Sequence, residues 1–154
     1  MKRKIYLASS WRNKMQPLAL SMLRGHGHDV YDFRNPAPGN SGFAWSDIDK
    51  EWLTWSPETF AVALTHSTAE EGYGLDKAAL DWSDTGILLL PCGKSAHLEA
   101  GYLIGQKKPV LIVLNPERFE PELMYKLAGV DGIVAGLHEM IRGLNRLPVY
   151  VGTE

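Results

Sequence analysis

Between residues 85 and 114 two apolar runs, TGILLLP and PVLIVL, flank a segment, SAHLEAGYLIGQKK, whose apolar residues recur at helical spacing. Runs so uniformly apolar predict strands buried on both faces, as in parallel sheets. The alternation extends toward both ends of the chain. KIYLA (4–8) is a short strand run, and NKMQPLALSMLRGHGH then places Met15, Leu18 and Met22 on one face of a helix, with Pro17 in its first turns and Gly25 at its end. DVYDF (29–33) predicts a second strand, and the proline, glycine and asparagine content of RNPAPGNSG makes it a loop. Trp45, Ile48, Trp52 and Trp55 fall at i, i+3, i+7 and i+10, which predicts a tryptophan-faced helix. SPETFAVAL starts as a helix should, and a further helix runs from about Ser67 to Trp82, broken near GYG. Toward the end, PELMYKLA predicts a helix, GIVAG a short strand and LHEMIRGL a last helix.

Strand and helix alternating in this way predict an α/β fold. The expectation is a single domain over 1–154, a flavodoxin-like or Rossmann-like five-stranded parallel sheet of order 2-1-3-4-5 with helices on both faces. In that order the topological switch lies between strands 1 and 3, and ligands bind outside the carboxyl ends of those strands. The loops there are ASSWR and PCGKSAH.

Composition narrows the partners. Sixteen basic against eighteen acidic residues give a formal charge of -2, so the chain offers no basic field to a nucleic acid and no polybasic patch to a membrane surface. A small-molecule substrate is the expectation. A hydrophobic content of 45% over 154 residues supports a real core. The single cysteine, Cys92, excludes an intrachain disulfide framework and a multi-cysteine zinc site. No metal or cofactor is expected. The start, MKRKIYLASSWR, is basic but has only about five apolar residues where a signal sequence needs roughly seven to fifteen, and no run reaches about eighteen. The expected location is cytoplasmic.

The switch loops carry the candidate chemistry. With Ser95 as N-cap, Glu99 falls at N4, which leaves two readings: an acid favoured by the positive end of a helix, or a reactive carboxylate. Asp76, in LDKAALDWSD, offers a second carboxylate from the helix before strand 3, and a pair about 5 Å apart serves retaining glycosidic chemistry. Asp81 and Asp84 compete for that part, although Asp84, just before the apolar strand, has the position of a structural turn residue. Ser9, Ser10 and Arg12 lie where free amides, hydroxyls and a guanidinium suit a phosphate, against the plainer reading of a serine cap and a solvated arginine. Gly93, Lys94 and Ser95 line the second loop, and Trp45 either packs in a core or lid or offers a stacking surface to a base. GKS is not a phosphate-wrapping loop, because the glycine required five residues before Gly93 is Leu88. HLE beside PC is not a zinc deaminase pattern, since the order is reversed and only one cysteine is present. Cys92 with His97 as a nucleophile pair stays open beside the reading of Cys92 as a small filler at a strand end.

Three stretches carry a family resemblance: IYLASSW at the first strand, the spacing of Asp76 and Asp84 in DKAALDWSD, and HLEAGYLIGQKKPVLIV. On these the chain resembles the nucleoside 2-deoxyribosyltransferases and the related 2'-deoxynucleoside 5'-monophosphate N-glycosidases. The resemblance implies that Glu99 attacks C1' of the deoxyribose, that Asp76 handles a proton and binds the sugar, and that Tyr6 stands beside the nucleophile. A serine and an arginine spaced like Ser10 and Arg12 hold the phosphate in the monophosphate hydrolases. Two features depart from the transferases: GKSAH stands where they often place another aspartate, and Glu122 stands where they carry an asparagine given to the neighbouring subunit. Lys94 or Ser95 is then free to hold a phosphate or a sugar hydroxyl. The resemblance also implies a homo-oligomer with sites completed across an interface, and the apolar ELMYKLAGV and tryptophan segments agree with that. Alternatives are an NAD-cleaving glycohydrolase of Toll/interleukin-receptor-like type and a nucleotide-binding sensor without turnover.

Overall fold

The computed structural model describes residues 1–152. The chain divides into two compact units, residues 1–32 with 82–154, and residues 33–81. The first holds a five-stranded, wholly parallel sheet of β1 (Lys4–Ala8), β2 (Asp29–Tyr31), β3 (Thr85–Leu89), β4 (Val110–Val113) and β5 (Ile133–Val134), in the order β2-β1-β3-β4-β5. The sheet order therefore agrees with the sequence expectation. All of β3 and β4 is buried, as their unbroken apolar runs require.

Side-chain alternation divides the sheet between its two faces. Ile5, Leu7, Ile87, Leu89, Leu111, Val113 and Val134 form one core with Ala19 and Leu23 of α1 (Gln16–Gly25) and with Met140 and Leu144 of the last helix, Met140–Arg146. The opposite face packs against the helix between β3 and β4, Lys94–Gly105. There Gly86 lets Leu103 approach closely, since a Cβ at Gly86 would lie 2.5 Å from Leu103 Cδ1. Asp84 fastens the start of β3 to β1: its carboxylate accepts the Lys4 N–H at 3.0 Å and the Thr85 hydroxyl at 2.8 Å. That is the structural part its position predicts.

α1 turns a different face inward from the expected one. Gln16, Ala19 and Leu23 are buried while Met15 and Leu18 are exposed. Gln16 takes a core position because its side-chain amide donates to the buried carboxylate of Asp32 at 3.0 Å, so the burial cost of both polar groups is offset.

The second unit carries α2 (Pro57–Ala63) and most of α3 (Ser67–Trp82). Ser56 caps α2, accepting the Thr59 N–H at 3.1 Å. No tryptophan helix forms. Trp45–Asp47 and Trp52–Thr54 are separate 3-10 turns, and Trp45 instead packs edge-on against Phe43, Trp55 and Phe60, with ring centroids 4.7, 5.5 and 5.6 Å away. α3 runs unbroken through GYG, because Gly72 makes room for Phe43, whose Cβ would be 3.0 Å from a Cβ at that position. PELMYKLA is likewise not an α-helix but a 3-10 stretch, Leu123–Ala128. The remaining helices of the first unit are α4 (Lys94–Gly105) and α5 (Met140–Arg146). No helix among the described residues is long and apolar enough to cross a membrane.

Candidate functional site

The carboxyl ends of β1 and β3 are adjacent in the sheet, and hydrogen bonds join the loops that leave them. The Ser9 hydroxyl donates to the Leu89 carbonyl at 2.9 Å. Asn13, almost wholly buried, donates its side-chain amide to Ser9 Oγ at 3.1 Å and to the carbonyls of Leu89 and Pro91, both at 3.3 Å, while its own side-chain oxygen accepts the Met15 N–H at 2.9 Å. The structure thus ties the Ser9–Arg12 loop to the end of β3 and to Pro91, just ahead of Gly93, through a residue that sequence reasoning left without a role. Its signal was an asparagine just before a helix, where its side chain readily bonds nearby backbone.

Several of the amides expected to be free at the start of α1 are occupied. Arg12 N donates to Ser10 Oγ at 3.1 Å, Asn13 N to the Ser10 carbonyl at 3.0 Å, and Gln16 N to the Asn13 carbonyl at 3.3 Å. Arg12 is exposed beside this loop, a guanidinium of the kind that holds an anion through charge-assisted bonds.

α4 begins earlier than its serine predicts. Gly93 is the N-cap, without a side chain to cap the first turn, so Lys94 and Ser95 are the first two helical residues and Glu99 is the sixth. Glu99 is therefore not a first-turn acid, which removes most of the helix-end explanation for it. It sits instead in the stripe Ala96, Glu99, Ala100, Leu103, whose other members are the buried residues of the helix, and Glu99 is itself half-buried. The adjacent Leu98, by contrast, is 76% exposed. The helix thus turns a leucine to water and a carboxylate toward the sheet. Tyr6 is fully buried on the sheet face that α4 covers, and its ring stacks on Tyr31 with centroids 5.4 Å apart.

Cys92 does not form a nucleophile pair with His97. Burial first, and then the charge of Glu99, push its thiol up to about 12, so it stays protonated. The nearest imidazole nitrogen, His97 Nδ1, is 3.8 Å from the sulfur but only 2.7 Å from the Gly93 carbonyl, to which it can only donate. A nitrogen carrying a proton cannot take one from the thiol.

In the second unit, Asp76 is half-buried within the carboxyl-terminal half of α3 rather than near a helix start. Of its competitors, Asp81 pairs with Lys77 one turn away and Asp84 is engaged with β1. Trp45 belongs to the aromatic cluster described above. Among the described residues no group of three or more His, Cys, Asp or Glu side chains could hold a metal ion.

No protein-family model matches the chain, and no curated protein matches it in sequence. Solved structures do. A conserved protein of Enterococcus faecalis superposes with a TM-score of 0.60 at 15% identity, covering 95% of this chain and 98% of that one. A 2-deoxyribosyltransferase of Bacillus psychrosaccharolyticus superposes with a TM-score of 0.54 at 20% identity, covering 98% and 100%. The chain has the fold of that 2-deoxyribosyltransferase. A CMP N-glycosidase of Clostridium botulinum follows with a TM-score of 0.49 at 15% identity, covering 94% and 98%. The first two cover nearly all of the chain, so the likeness in fold extends beyond the sheet.

Proposed function

We propose that the protein cleaves the N-glycosidic bond of a 2'-deoxynucleoside or its 5'-monophosphate through a covalent glycosyl-glutamate, passing the sugar to water or to another base. The observation that carries this reading is Glu99: a carboxylate in the sheet-facing stripe of α4, between two alanines, in the helix that follows the switch-point strand. Burying a carboxylate there is costly for packing alone, and small neighbours leave room for a substrate. The fold shared with a 2-deoxyribosyltransferase and the sequence resemblance support the same chemistry.

In this mechanism a Glu99 oxygen forms an ester bond to C1' as the bond from C1' to the base nitrogen breaks, and the base leaves with that electron pair and gains a proton. The resemblance gives the proton-handling part to Asp76. Water or a second base then attacks C1', giving up a proton, and frees the Glu99 carboxylate. The resemblance gives Tyr6, a buried residue of β1, the part of the tyrosine beside the nucleophile. Ser10 and Arg12 bind the 5'-phosphate, with Lys94 and Ser95 at the opening of α4 for the phosphate or a sugar hydroxyl, and Gly93 supplying the turn; Ser9 holds its loop in place.

A chromatographic panel of nucleosides, 5'-monophosphates and NAD, with and without a free acceptor base, tests the proposal. Base release or exchange is expected from a deoxynucleoside substrate and its loss in Glu99→Gln, with little change in melting temperature. Turnover retained by Glu99→Gln removes Glu99 as nucleophile, nicotinamide release favours the NAD-cleaving reading, and binding without release at high protein concentration favours a sensor.

A further inference from the structure

His97 joins the two ends of a short chain of polar contacts that the proposed reaction does not use. Gly93 gives α4 no side-chain cap, and His97 folds back onto this turn from within the helix: its Nδ1 lies 2.7 Å from the Gly93 carbonyl. The helical N–H of the same residue reaches that carbonyl at a longer 3.4 Å, so the ring makes the better bond. Its other nitrogen, Nε2, is 2.9 Å from the Tyr125 hydroxyl, and the two rings lie nearly parallel, 16° apart. A carbonyl can only accept, so Nδ1 carries the proton and Nε2 accepts from Tyr125. Tyr125 is the one half-buried residue in a run from 121 to 127 whose other members are exposed, which makes this bond the inward anchor of the segment. Burial first, and then the neighbouring acidic groups Cys92, Glu122 and Glu120, raise the Tyr125 phenol, so it keeps its proton.

We infer that His97 is a positioning residue, held as the Nδ1–H tautomer, that fixes the Gly93 turn in front of α4 and ties it through Tyr125 to the segment 123–128. Glu99 lies two residues further along the same helix, so the placement of its carboxylate depends on that turn; the catalytic readout below rests on the function proposed above.

Ring-nitrogen NMR of histidine-labelled protein tests the inference directly, with the His97 signals among the five histidines assigned by their loss in His97→Asn. The expected result is a protonated Nδ1 and an accepting Nε2 at neutral pH, with Tyr125→Phe moving the Nε2 signal alone. In turnover, His97→Ala should lower kcat about tenfold with KM nearly unchanged, the mark of a displaced carboxylate rather than lost binding. His97→Asn, whose amide nitrogen can stand where Nδ1 stands, should recover most of that loss, and Tyr125→Phe should give a smaller decrease of the same kind. An Nε2–H tautomer, or His97→Ala with full kcat, overturns the inference. A wild type that releases no base from any substrate, yet shows the stated tautomer and Tyr125→Phe response, defeats the proposed function and leaves the positioning role standing.

Discussion

Asn13 and Leu89 are 76 residues apart in sequence, and the side-chain amide of Asn13 donates to the Leu89 carbonyl at 3.3 Å. The bond fastens the loop after β1 to the end of β3, and with the contacts to Ser9 and Pro91 it makes one rigid rim from two loops. Asn13→Ala should destabilise the fold by about 1–3 kcal/mol, the range for stranding buried polar partners. Asn13→Asp should be worse although it is nearly isosteric, because it sets a carboxylate against two carbonyl oxygens. Thermal melts of both variants decide this; an aspartate variant at least as stable as the alanine one would show that the amide donors do not hold the rim.

Three backbone amides of this loop, those of Arg12, Asn13 and Gln16, already have acceptors within the loop, which turns attention for phosphate recognition to the side chains of Ser10 and Arg12. A deoxynucleoside 5'-monophosphate should then have a much higher kcat/KM than its nucleoside, and Arg12→Ala should remove most of the difference, about 2 kcal/mol for one charged contact, while leaving nucleoside turnover nearly unchanged. Steady-state kinetics on a matched pair of substrates measures this. Equal rates in the wild type would discard the phosphate site.

Cys92 stays a thiol at neutral pH, with its value raised to about 12 by burial and by Glu99. Cys92→Ser should therefore keep most of the turnover, and iodoacetamide should label the wild type slowly below pH 9. Loss of all activity in Cys92→Ser, with an unchanged melting temperature, would return the cysteine to the chemistry.

Much of this was legible in the sequence where one physical signal dominated. The short, uniformly apolar runs of β3 and β4 read as central strands, and the alternation of strand and helix along the chain points to the sheet order. Legibility failed where a polar residue held a core place or a local contact outweighed propensity. Gln16 hid the buried stripe of α1 because its partner, Asp32, lies outside any local window. Serine is the better N-cap by propensity, yet Gly93 holds that place in α4, and the His97 ring bonds its carbonyl from within the helix. Trp45, Ile48, Trp52 and Trp55 have helical spacing, but an aromatic cluster takes up Trp45 and Trp55 without a helix and Trp52 is left exposed, and short helices nucleate poorly. The candidate nucleophile was readable as a residue; its place on the inward stripe was not, since that depends on where the helix begins.

Phe119, Leu123, Met124, Leu127 and Val130 are all more than half exposed, a concentration of apolar surface around the one inward anchor, Tyr125. A second copy of the chain is the expected cover, and a homo-oligomer is the prediction. Light scattering at micromolar concentration should give at least a dimer, and Leu123→Lys combined with Leu127→Lys should shift it toward monomer. A monomeric wild type would count against the interface and against any site that a neighbouring subunit completes.

Stability should also fall on the acid side through His28. This buried imidazole accepts the Arg3 N–H on Nδ1 at 3.2 Å, so the folded state needs that nitrogen unprotonated. Its pKa is lowered from the ordinary 6.5, first by burial and then by the charges of Arg3, the N-terminus and His26, against a smaller opposing pull from Asp84. A depressed value means that the unfolded chain binds the proton more readily than the folded one. The contribution is therefore complete above about pH 6.5 and is lost as the pH falls from there through the folded value, with a slope for this single proton no steeper than about 1.4 kcal/mol per pH unit. Melting temperatures measured from pH 8 to pH 5 should show this limb in the wild type and a flatter one in His28→Asn, whose side-chain oxygen can accept from Arg3 without titrating. An equally steep limb in His28→Asn would place the acid sensitivity elsewhere in the fold.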